Sequence, residues 1–146
     1  MLDLRTMKGN ITFSLCYTSR RPKMVEDVIR MWLAKADDKS QLEVVLCTDD
    51  DDLDSHDLHK PLADKYGVVP VVQKDFPFNC VKGWNAAAKV ATGKVIICIS
   101  DDFVPPQSWD TLLLEVCPKG FSASSERKSW IDGEYVIHVD DGYVRT

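Results

Sequence analysis

Two adjacent carboxylates, Asp101 and Asp102, stand where the apolar run Val95–Ile99 stops. Carboxylate oxygens are hard donors that suit Mg²⁺ or Mn²⁺, and such a cation in turn holds a diphosphate. If the run is a strand of an open α/β sheet, the pair falls at its carboxyl end, where ligands collect in such sheets. An aspartate after a strand can instead cap the following helix. Here Pro105 and Pro106 separate the pair from the next helical pattern, and Ser108 is the better-placed cap. Metal or phosphate chemistry is therefore the expectation for Asp101 and Asp102.

Other residues share the same addresses. Asp49 opens the acidic run 49–52 directly after a second apolar run. Asp51, Asp52 and Asp54 read as a solvated loop. Asp49, closest to the strand end, can accept hydrogen bonds from a base or ribose, as acidic residues do after Rossmann strands. The run lacks the alternating spacing and glycine of an EF-hand. Thr18-Ser19-Arg20-Arg21-Pro22 closes the first strand, which puts Arg20 or Arg21 within reach of a phosphate. Lys82 and Asn85 belong to a helix whose N-terminus faces the expected diphosphate. His56 and His59 share one helix face, but no HExxH pattern or cysteine cluster accompanies them, so a zinc site is not expected. His138, ahead of Asp140 and Asp141, reads as a half-buried strand residue in preference to a third metal ligand.

Elements that could hold these groups alternate along the chain. Residues 11–18 read as a strand, and Pro22 opens a helix carrying Val25, Val28, Ile29, Trp32 and Leu33 at helical spacing to about Ala36. Residues 42–47 form a nearly continuous apolar strand, as expected for one covered on both faces. A helical piece through Leu58, Leu62 and Tyr66 stops at Gly67. Residues 68–73 form a third strand, which Pro70 assigns to an edge or a bulge. An alanine-rich helix over 82–91 precedes the strand Val95–Ile99. A helix over 106–116 places Trp109, Leu112, Leu113 and Val116 on one face. Residues 128–139 then suggest a hairpin turning at Asp132-Gly133. This order predicts an α/β fold: one domain over residues 1–146, a mostly parallel doubly wound sheet and a C-terminal hairpin.

Composition narrows the function. With 146 residues, 45% hydrophobic and 28% charged, the chain is long enough to bury a sizeable core. A net charge of −5 argues against nucleic-acid binding. No apolar run approaches the roughly 20 residues needed to span a bilayer, and the N-terminus lacks a signal-peptide core. Met7 reads as a second start, with residues 1–6 as a loose extension. Five cysteines form no C-x-x-C pair, and Cys16, Cys47 and Cys98 fall inside apolar runs. They read as reduced, buried side chains, with a cytoplasmic location as the default.

These motifs, in this order, resemble the nucleotide-binding half of a GT-A glycosyltransferase of the inverting family-two type. Thr18-Ser-Arg-Arg-Pro resembles the Thr-Tyr-Asn-Arg-Pro that follows the family's first strand, matching at Thr18, Arg21 and Pro22. Residues 42–50 resemble its Glu-Ile-Ile-Val-Val-Asp-Asp strand, which places Asp49 where the base is read. Asn85 with Ala91-Thr-Gly-Lys resembles the Asn…Ala-x-Gly-Asp segment, and Ile99-Ser-Asp-Asp resembles the DXD motif. Ser100 replaces the first DXD aspartate and Arg20 the asparagine.

The resemblance implies a glycosyltransferase that binds a nucleoside-diphosphate sugar with Mn²⁺ or Mg²⁺. Asp102 would be the principal metal ligand with Asp101 assisting, and Thr18, Arg21, Asp49, Lys82, Asn85 and Asp101 would contact the nucleotide. It covers about residues 11–116, and the family's acceptor segment and base would lie beyond Thr146. Acceptor and base are accordingly unassigned. Two alternatives follow from the residues. A non-catalytic nucleotide-sugar-binding or assembly module would oligomerise through the surface near residues 135–143. A phosphohydrolase would use Asp49 as nucleophile, but its D-x-D-x-T/V pattern is absent.

Overall fold

Alternation along the first strand decides the layering. In β1 (Phe13–Thr18), Phe13, Leu15 and Tyr17 face one side of the sheet and Cys16 faces the other. The same split runs through β2 (Leu42–Asp49) and β4 (Val95–Ile99), so both faces are apolar and both are covered. One face packs on α1 (Pro22–Ala34) through Val25, Val28, Ile29 and Trp32. It also receives Leu62 of α3 (His59–Tyr66), and Trp109 and Leu113 of α5 (Trp109–Val116). A four-residue helix, α2 (Leu53–His56), precedes α3. The opposite face packs on α4 (Cys80–Val90) through Ala87 and Ala88. There Cys16, Cys47 and Cys98 act as small apolar side chains, as expected, and small partners let α4 lie close.

The computed structural model describes residues 11–116, 129–131, 134–140 and 143–145. The second start at Met7, Cys117, the Asp132-Gly133 turn, Asp141 and the side chains of Val116, His138 and Asp140 lie outside the described residues. With β3 (Val69–Gln73), β5 (Ser129–Ile131), β6 (Glu134–Asp140) and β7 (Tyr143–Arg145), the described strands run in the order β3-β2-β1-β4-β6-β5, with β7 also on β6. β3 is an edge strand, which accommodates Pro70 opposite Leu46. β1 pairs parallel with both β2 and β4.

The expected hairpin is present but is not an appendage. β6 (Glu134–Asp140) continues the parallel sheet on β4, from Val95 opposite Tyr135 to Cys98 opposite His138. β5 (Ser129–Ile131) and β7 (Tyr143–Arg145) lie antiparallel along its far edge. Sequence patterning gave no sign of β7, a strand of three residues.

Two expectations need correction at α5, where Ser108 stands immediately before the helix and its carbonyl accepts the Leu112 N–H at 3.0 Å. The Ser108 backbone turns to a φ of +60° and its hydroxyl donates to Asp37 Oδ1 at 2.9 Å. α5 accordingly starts at Trp109, not at Pro106. Leu112 is exposed, leaving Trp109 and Leu113 as the buried apolar side chains described on the helix. Those tryptophans are well satisfied: Trp109 packs edge-on against Trp32 at 5.2 Å and donates its indole N–H to the Trp32 carbonyl at 2.8 Å. Among the described residues, no helix is long and apolar enough to cross a membrane.

Candidate donor-binding crevice

β1 and β4 are neighbours, but the chain leaves them toward opposite edges of the sheet, through β2 and β3 on one side and β6 on the other. Such a switch point opens a crevice at the carboxyl ends of the strands. A cavity of about 240 Å³ lies there. Thr18, Ser19, Arg20 and Arg21 line it from the end of β1, Asp49 from β2, and Ser100, Asp101 and Asp102 from the turn after β4. Phe78, Asn79 and Cys80 close it from the start of α4.

Five of the seven expected site residues therefore meet: Thr18, Arg21, Asp49, Asp101 and Asp102. Lys82 and Asn85 are not among the lining residues, because α4 begins two residues earlier than the periodicity suggested. Asn79 caps it, its Oδ1 accepting the Lys82 backbone N–H at 2.9 Å. That cap signal, Asn just ahead of the helical run, was available in the sequence.

Asp49 occupies the buried end of the crevice. Its side chain is 7% exposed and its Oδ2 accepts from Arg20 Nη1 at 2.7 Å, while Oδ1 has no hydrogen-bond partner among the described residues. Buried carboxylate oxygens are normally bonded, so Oδ1 points to a donor that arrives with a ligand. The backbone around it is fixed. His56 Nε2–H donates to the Asp49 carbonyl at 2.9 Å, and the Asp50 N–H donates to the Gln73 carbonyl at 2.9 Å. His59 bonds the Thr48 hydroxyl at 2.9 Å. The two histidines thus brace the end of β2, and among the described residues no group of three or more His, Cys, Asp or Glu could hold a metal on its own.

The other end is open. Asp102 is 79% exposed and faces Arg21 Nη1 at 3.6 Å. Asp101 is held from below by Tyr17, whose hydroxyl donates to Asp101 Oδ1. Burial pushes the Tyr17 phenol up, and the bond to Asp101 pushes it further, so it remains a donor. Tyr17 escaped the sequence reading because alternation assigns it to the core, although a buried tyrosine hydroxyl needs a partner. Neither aspartate is seen capping a helix. The arrangement suits a cation that takes one or two carboxylates and completes its shell with phosphate oxygens and water, as Mg²⁺ does. The thiols of Cys47 and Cys98 are pushed up to about 12, chiefly by burial, so they are inert core groups. Cys80, by contrast, is exposed on the crevice wall.

The comparisons agree with this fold. Residues 16–142 match the family model described as Glycosyl transferase family 2. No curated protein matches the chain in sequence. Among solved structures, it is similar to S. aureus TarS 1-349, determined in complex with UDP, at a TM-score of 0.57 and 18% identity. The match covers 73% of this chain and 33% of that TarS chain, so this chain spans about a third of the length of the structure it matches. A likeness at that identity speaks for the fold, and the family model covers most of the sequence. The chain belongs to glycosyl transferase family 2.

Proposed function

We propose that this chain binds a nucleoside-diphosphate sugar in the switch-point crevice and serves as the donor-binding part of a glycosyltransferase. One observation carries the reading: a single crevice is lined by Asp49, whose buried Oδ1 has no partner among the described residues, by the half-buried Asp101 and by the exposed Asp102. Asp49 Oδ1 accepts an N–H from the base. Thr18 lies between the two ends, beside the ribose. Arg21 is 61% exposed and turns its charge toward the diphosphate. Tyr17 keeps Asp101 oriented, leaving Asp102 as the principal ligand of Mn²⁺ or Mg²⁺. When bound, the cation supplies positive charge that stabilises the leaving diphosphate. TarS, a similar structure, was solved with UDP, which favours a uridine donor. A cytoplasmic setting suits the four free cysteines among the described residues.

Calorimetric titration with UDP, GDP and dTDP, each with and without Mn²⁺, tests the reading. Manganese-dependent binding of one nucleotide is expected. Asp102→Asn should remove the manganese dependence and leave the unfolding midpoint unchanged, because the side chain lies mostly in solvent. Absence of binding to all three would reject the proposal.

A further inference from the structure

The two arginines that close β1 look interchangeable in sequence, yet the fold employs them differently. Arg21 faces Asp102 at a loose 3.6 Å. Arg20 is committed: Nη1 donates to Asp49 Oδ2 at 2.7 Å and to Asp51 Oδ1 at 2.8 Å, and Nη2 reaches Asp51 Oδ2 at 3.3 Å. Its hydrogen bonds to Asp51, and then to Asp49, hold the guanidinium even above its ordinary high pKa, so it is a permanent cation. The planar fork spans two carboxylates at once, which a lysine cannot do. Arg20 compensates the charge of a nearly buried carboxylate and occupies one of its two oxygens. The oxygen that remains, Oδ1, is buried and has no partner among the described residues, which leaves it as the acceptor for a ligand.

We infer that Arg20 is a positioning residue for base selection. By clamping Asp49 it leaves a single oriented acceptor, which favours bases presenting a ring N–H, such as uracil, over cytosine, which presents a ring-nitrogen lone pair there. Specificity of this kind comes from the unfavourable contact as much as from the favourable one, and a fixed carboxylate oxygen opposite a lone pair is such a contact. A mobile carboxylate could rotate to meet the exocyclic amine of cytosine, and discrimination would fall. The inference rests on the proposed donor site.

The test titrates the intact chain with UDP and CDP in the presence of Mn²⁺, comparing the wild type with Arg20→Gln and Arg20→Lys. The wild type should prefer UDP by about tenfold or more, the size expected of one charge-assisted hydrogen bond. Arg20→Gln should bring the UDP to CDP ratio close to one. Arg20→Lys should restore part of the ratio, since it returns the charge without the fork, and it carries the test alone if Arg20→Gln does not fold. A purely structural role would weaken both nucleotides equally and preserve the ratio. That result, or no effect on either nucleotide, overturns the inference while leaving the donor site standing. A wild type that binds neither UDP nor CDP overturns the inference, and failure to bind GDP and dTDP as well overturns the donor site.

Discussion

At the scale of single residues, the crevice depends on side chains whose partners lie far away in sequence. Asp49 is useful because Arg20 and His56 hold it, and Asp101 because Tyr17 does. A further brace at the end of β2, His59, should make stability depend on pH. His59 is half-buried against Thr48, and its pKa lies below the ordinary 6.5, first through burial and then through the neighbouring His56. The unfolded chain therefore takes up a proton near pH 6.5 that the native state resists, and stability present above that pH is lost as the pH falls. Urea midpoints should drop between pH 7.5 and 5.5, and His59→Gln should flatten the decline. Equal slopes for the two proteins would show that His59 contributes nothing. The carboxylates were legible in sequence because strand-terminal position alone identifies them. Their supports were not, because a hydrogen bond between Tyr17 and Asp101 joins residues that no local pattern connects.

At the scale of elements, strands and helices were legible wherever a period was strong: β4 has the expected bounds, and β1, β2, β3 and α1 differ only at their ends. Errors cluster at helix starts, where a cap or a turn competes with the period. Asn79 starts α4 early, and the turned backbone at Ser108 starts α5 late. The position of α4 matters most, since its first turn is a wall of the crevice. Gly83 permits it: a Cβ there would lie 2.9 Å from Thr18 Cβ and collide with the Thr18 hydroxyl. Thr18 Cβ is anchored to the strand, so the helix must yield. Alanine would gain about 1 kcal/mol in helix propensity but lose roughly 1–3 kcal/mol to overpacking. Gly83→Ala should lower nucleotide affinity because α4 shifts, with a net stability loss of up to about 2 kcal/mol in denaturant titration. Unchanged affinity would mean that Thr18 repacks without moving the wall.

At the scale of the whole molecule, the sheet extends across its own midline. β4 delivers Asp101 and Asp102, and its outer edge is covered by β6 alone among the described strands, through four register pairs from Val95 to Cys98. Without β6, β4 would become an open edge with Ile96, Ile97 and Ile99 behind it, and such edges template aggregation. The pairing therefore does two jobs, protecting the sheet and holding one wall of the crevice. Hydrogen bonds of that ladder contribute on the order of 1 kcal/mol each, enough together to matter against the marginal stability of a domain this size. A chain ending at Val116 retains every residue that lines the crevice, so residue content alone would predict normal nucleotide binding. The sheet argues otherwise. The shortened chain should aggregate in light scattering at concentrations where the full chain remains monodisperse, and its nucleotide affinity should fall with the loss of order after β4. A monodisperse shortened chain with full affinity would show that the first four strands form a self-sufficient donor site and that β6 serves another purpose.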